Sequence, residues 1–84
     1  MYRIVTHEEV VEQTSALPDH LLSYYLQVLD VLELAPWSGE PYNAAAPDGV
    51  MRKLLLGPEG AGEAIYLILE HDRRVELLRV HWIG

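Results

Sequence analysis

The residues best placed to do chemistry stand near the end of the chain. In "VELLRVHWIG" Leu77, Arg79 and His81 alternate on one side, and Leu78, Val80 and Trp82 on the other. An imidazole can act as acid or base, which makes His81 a candidate. Arg79, central in the segment, either serves the same site or pairs with Glu70 or Glu76 or with the ring of Tyr66. Trp82 is expected to seal the edge of the core.

Upstream, Arg52 and Lys53 are adjacent, so they point to opposite sides of a strand and at most one of them joins Arg79 and His81. Arg73 and Arg74 fall at a hairpin tip, where charges are usually solvated. The four histidines, His7, His20, His71 and His81, lack metal-ligand spacing, and there is no cysteine, so neither a metal site nor a disulfide is expected. "GPEGAGE" has no basic residue and no following helix, unlike a phosphate-binding loop, and "HEE" lacks the second histidine of a zinc motif. No cofactor is expected.

Those residues need elements to hold them. "YRIVT" reads as a strand. Thr6 with Glu9 fits a capping box that opens a first helix carrying Val10, Val11 and Leu17. "PDHLLSYYLQVLDVLELAP" is a second, longer helix, with Pro18 in its first turn and Pro36 closing it. Leu21, Tyr25, Val28 and Leu32 form one apolar line, Leu22, Leu26 and Leu29 another, and Tyr24 and Val31 widen the face. That width is either a broad core-facing surface or a place for a partner or a second copy, with Leu21, Tyr24, Tyr25, Val28 and Val31 as candidates. "PWSGEPYNAAAPDG" is a loop. Strands follow in "VMRKLLLG", "AIYLILEH" and "RVELLRVHWI".

The order β-α-α-β-β-β implies one α+β domain over residues 1–84, two helices covering one face of an antiparallel sheet. In the last hairpin, Ile65, Leu67 and Leu69 with Leu78, Val80 and Trp82 are expected to face the helices. This puts Leu67 opposite Leu78 across a loop of Asp72-Arg73 or His71 to Arg74. Tyr66 then faces Arg79 on the far side of the sheet, with His81 beside them.

The chain is short, half apolar, and carries a net charge of −7. Residues 1–51 hold eight acids against one base, Arg3, whereas residues 52–84 hold five of each. This balance opposes general binding to nucleic acid, though a local basic patch still works. The start lacks the pattern of a signal peptide and the longest apolar run, "AIYLIL", is too short to cross a bilayer, so a cytoplasmic protein without membrane contact is expected.

In "LPDHLLSYYLQVLDVLELAP", "MRKLLLG" and "IYLILEHDRRVELLRV" the chain resembles the RelE/ParE/HigB superfamily of bacterial toxins. The resemblance covers nearly all 84 residues and rests on apolar spacing. It implies a toxin-like component of a type II toxin–antitoxin system with an antitoxin-like partner. Where such toxins are ribonucleases, it further implies metal-independent cleavage of mRNA on the ribosome by attack of a 2′-OH on the adjacent phosphate. Under that implication His81, Arg79 and Tyr66 are the catalytic candidates, and Arg52, Lys53 and Arg74 the phosphate-binding ones. The chain departs from the family pattern in lacking an arginine in "AIYLILE" and in reading "HWIG" after "LRV". The alternative is a non-catalytic interaction module of the same fold, binding a partner or a second copy through its acidic helix half or apolar helix face.

Overall fold

The computed structural model describes residues 1–83. Its elements are β1 (Arg3–Thr6), α1 (Glu8–Ser15), α2 (Asp19–Leu34), β2 (Glu40–Pro41), β3 (Met51–Leu56), β4 (Gly62–Leu69) and β5 (Arg74–Trp82). The strands form one sheet in the order β1-β5-β4-β3-β2. Among the described residues no helix is long and apolar enough to cross a membrane.

Two features of this α+β arrangement correct the sequence reading. The sheet is mixed, because β1 runs parallel to β5, from Arg3 opposite Arg74 to Thr6 opposite Leu77. The long loop also contributes β2, which pairs Glu40 with Lys53 and Pro41 with Arg52.

Both helices cover one face of the sheet. Val10 of α1 and Tyr25, Val28 and Leu32 of α2 pack on Leu56, Ala64, Tyr66, Ile68, Val75, Leu77 and Val80. Helix α2 lies between the two prolines expected at its ends, though Pro18, expected in its first turn, stands just before it in extended geometry; Pro36 begins the 3-10 turn after it. Helix α1 begins one residue later than a Thr6 cap would place it. Thr6 is the last residue of β1, and His7 stands at the helix N-cap without a side-chain hydrogen bond.

The last hairpin departs furthest from expectation. Its loop is Glu70 to Arg73, closed by Leu69 opposite Arg74, with Arg73 in the left-handed region (φ 49°). Tyr66 pairs with Leu77, Ile65 pairs with Arg79, and Leu78 is left between them without a partner. This β-bulge gives β5 one extra residue. Before it Val75 and Leu77 face the helices, and after it Val80 does. In β4 the helix-facing set is therefore Ala64, Tyr66 and Ile68, not Ile65, Leu67 and Leu69. Tyr66 accordingly lies in the core, off the open face to which the alternation had assigned it.

Candidate functional site

Two rows of the sheet carry the open-face chemistry. Lys53 stands opposite Ile65, and Ile65 opposite Arg79; one step along, Leu55 is opposite Glu63, and Glu63 opposite His81. Alternation in each strand sends these side chains away from the helices. The Glu63 carboxylate is the hub. One oxygen lies 3.1 Å from His81 Nε2, and the other 3.7 Å from Lys53 Nζ. Arg79 is exposed and makes no ion pair among the described residues. It borders a shallow hollow with Gln13, His81 and Trp82.

The edge of the sheet beside this site is closed by α1. Past Leu77 strand β5 has no strand on its β1 side, and Gln13 Oε1 accepts a hydrogen bond from the Val80 N–H at 2.7 Å. That bond anchors the backbone between Arg79 and His81.

A histidine with a carboxylate on Nε2 is oriented. When Nε2–H donates to Glu63, Nδ1 is left as the proton acceptor. Lys53 and Arg79 on either side of Ile65 can hold an anion between them. The arrangement thus combines an acid/base group with two cations on one flat surface, and one carboxylate within it opposes anion binding.

The other candidates lie elsewhere. Arg52 faces the helix side with Tyr66, its direct neighbour in β4. It is only 8% exposed, and its guanidinium donates to the carbonyls of Gly39, Pro47 and Gly49 while lying over the ring of Trp37. With its donors committed to the 36–50 loop, it cannot serve as a phosphate ligand on the open face. Tyr66 is fully buried and donates its hydroxyl hydrogen to the Pro36 carbonyl at 2.7 Å. Burial raises its pKa above the ordinary phenol value, an effect that Arg52 opposes, so it is neither placed nor tuned to be a base. Arg74 is on the open face but five residues from Arg79, roughly 16 Å along the strand. It pairs with Glu76 at 3.1 Å and Asp72 at 3.8 Å.

On α2, Leu21, Tyr25 and Val28 are buried and belong to the core, which corrects their reading as partner-facing. Tyr24 is partly open, and with Val31 it lines a groove between α2 and β3.

Glu63 and Gln13 escaped the sequence reading. Glu63 read as part of a linker, and only the pairing of β4 with β5 after the bulge identifies it as the neighbour of His81. A second polar cluster was also missed, at the opposite end of the sheet. Glu70 accepts from Tyr2 Oη at 2.5 Å, Trp37 Nε1 at 2.7 Å and Arg73 Nη1 at 2.8 Å, and the Arg73 guanidinium lies 4.2 Å from the Tyr2 ring centre. These three donors, that of Trp37 first, lower the Glu70 pKa to about 2. Among the described residues no group of three or more His, Cys, Asp or Glu side chains could hold a metal ion.

No protein-family profile matches the chain, and no curated protein sequence matches it significantly. Solved structures do match. In the Escherichia coli RelBE toxin–antitoxin complex the likeness spans 100% of this chain and 99% of the other, at 13% identity and a TM-score of 0.78. For the Mycobacterium tuberculosis RelBE2 complex the figures are 98% and 98%, 17% and 0.74. For the archaeal RelE–RelB complex of Pyrococcus horikoshii they are 99% and 96%, 22% and 0.65. The chain has the fold of the RelE toxins.

Proposed function

We propose that this chain is the toxin-like member of a toxin–antitoxin pair and that its open sheet face cleaves RNA without a metal. The observation that carries the reading is the grouping of His81, Glu63, Lys53 and Arg79 on the uncovered face of a RelE-type fold. Relatives with this fold are found in complex with RelB antitoxins, which supports a partner of that kind here.

In the proposed step, neutral His81 takes the proton of a ribose 2′-OH. The 2′-oxygen forms a bond to the adjacent phosphorus, the bond to the 5′-oxygen breaks, and that oxygen takes a proton from solvent. A 2′,3′-cyclic phosphate and a 5′-hydroxyl result. Lys53 and Arg79 stabilise the added negative charge on the non-bridging oxygens. Glu63 orients the imidazole and is a positioning residue.

A second reading, a non-catalytic binding module, is favoured by one observation. Glu63 offsets Lys53 and His81 in a chain whose net charge is already −7. The test is mRNA cleavage during in vitro translation, comparing the natural chain with a Lys53→Ala, Arg79→Ala, His81→Ala variant. Cleavage that the variant loses supports the ribonuclease. Intact mRNA with a folded, partner-free natural chain overturns it in favour of the binding module.

A further inference from the structure

Strand β2 does more than widen the sheet, because the chain keeps its pairing for one residue beyond it. The Tyr42 N–H donates to the Met51 carbonyl at 2.9 Å, which continues the register of Glu40 with Lys53 and Pro41 with Arg52. Alternation then puts Tyr42 on the open face beside Met51, as it puts Glu40 there beside Lys53. The Tyr42 side chain is 49% exposed. The other aromatic side chains are committed elsewhere. Tyr2, Tyr25 and Tyr66 are buried, Tyr24 is on α2, Trp82 packs against the core, and Trp37 donates to Glu70.

The loop that carries Tyr42 is fastened on both sides of it. Arg52 donates to the Gly39 carbonyl ahead of Tyr42 and to the Pro47 and Gly49 carbonyls after it. Directly after Tyr42, Asn43 Oδ1 accepts from the Ala45 N–H at 3.0 Å and the Asn43 carbonyl from the Ala46 N–H at 2.9 Å. A ring mounted this way needs little ordering when a ligand arrives. Charge then decides which way an RNA leaves Lys53. Glu40 is the neighbour of Lys53 on β2, and Glu63 flanks it toward Leu55. Both repel phosphate. On the remaining side, one pleat or roughly 7 Å along, the open face is formed by Tyr42, Met51 and Leu67 on adjacent strands, uncharged as far as Glu76.

We propose that the Tyr42 ring stacks a base of the RNA beside the cleaved bond, with Met51 and Leu67 as an apolar shelf under the same nucleotide. The proposal rests on the ribonuclease reading for the identity of the ligand and adds a substrate-positioning residue to it. Every base has a π face, so Tyr42 supplies affinity and register rather than a strict choice of base. Three strand spacings, roughly 14 Å, separate β2 from β5. Tyr42 therefore takes no part in proton transfer at His81.

The test uses the full chain and a short RNA made uncleavable by 2′-O-methylation, with 2-aminopurine at one position at a time. The RNA is offered free and as mRNA on ribosomes. Quenching of the probe is expected at one position, lost in Tyr42→Ala and kept in Tyr42→Phe. Affinity should fall about tenfold in Tyr42→Ala. Removing the base at the quenched position should cost the natural chain the same factor and the variant nothing further. With cleavable RNA the loss should appear in KM far more than in kcat. Bound RNA without quenching at any position overturns the proposal on the natural chain alone. A Tyr42→Ala variant that binds and quenches as the natural chain does, or a Tyr42→Phe variant that loses both, overturns it too. Cleavage in any of those cases leaves the ribonuclease standing. Quenching that depends on Tyr42, in an RNA that the chain never cleaves when unmethylated, does the reverse. RNA that binds in neither setting overturns both.

Discussion

Tyr66 Oη donates to the carbonyl of Pro36 at 2.7 Å, joining the middle of β4 to the turn that ends α2, thirty residues earlier. The same hydroxyl occupies the space that a Cβ at Gly39 would need; that Cβ would also lie 2.8 Å from the Lys53 carbonyl. Tyr66→Phe leaves the Pro36 carbonyl with only a long 3.5 Å bond from the Gly39 N–H and is expected to cost about 1–2 kcal/mol. Gly39→Ala should cost more, because the hydroxyl and the β3 backbone cannot both yield. Urea unfolding with an unchanged slope measures both. If Tyr66→Phe lost RNA cleavage while its stability stayed at the natural value, the assignment to the core would be wrong.

Arg52 should behave as a structural residue. Lysine cannot reproduce the fork that donates to three loop carbonyls at once, so Arg52→Lys is expected to destabilise by about 2–3 kcal/mol. Cleavage, if present, should fall only in proportion to the folded fraction. Circular dichroism melts beside cleavage assays at low temperature separate the two effects.

Glu70 supplies a pH dependence whose sign is fixed by its contacts. Its pKa is lowered from 4.5 in the ordinary case to about 2 by Trp37, Tyr2 and Arg73. Between those values the unfolded chain binds more protons than the folded one. The stabilisation is therefore complete above about pH 5 and is lost as pH falls toward 2. Glu70→Gln should be less stable at neutral pH, and its urea midpoint should fall less steeply on acidification than that of the natural chain. Parallel curves for the two proteins would rule out this role for Glu70.

Glu63 makes the open face less cationic than its basic residues alone would. In Glu63→Gln both Lys53 and His81 lose their carboxylate, and RNA affinity is expected to rise about fivefold at low salt, with a steeper salt dependence. Turnover should fall in the same variant, since the imidazole loses its orienting partner. Fluorescence titration with a short RNA tests the first part and single-turnover cleavage the second. An affinity unchanged across salt would mean that RNA does not meet this face.

The bounds of α2 were legible because Pro18 and Pro36 act locally, whatever the tertiary context. The helix pair and the existence of the final hairpin were legible for a similar reason, since apolar runs report burial, but the hairpin's register and inward face were not. The placement of Tyr66 and Arg52 was not. Both strands of the hairpin are apolar on both sides, so alternation alone allowed either face inward, and a buried arginine has the same letter as a solvated one. What separates the cases is the loop that supplies Pro36, Gly39, Pro47 and Gly49 carbonyls to those two side chains. Those contacts span up to thirty residues. Glu63 was illegible for another reason: its tie to His81 depends on a bulge that alternation does not foresee.

That unpaired Leu78 has a consequence for how the strand is written. Up to Leu77 the odd-numbered positions of β5 belong to the interior; from Val80 on the even-numbered ones do. The strand therefore carries two messages in opposite phase, one placing Val75 and Leu77 in the core and one placing Val80 there with Arg79 and His81 on the open face, with a single residue as the punctuation between them. Each message can drift without garbling the other, so Arg79 and His81 can change while Val75 and Leu77 keep the fold.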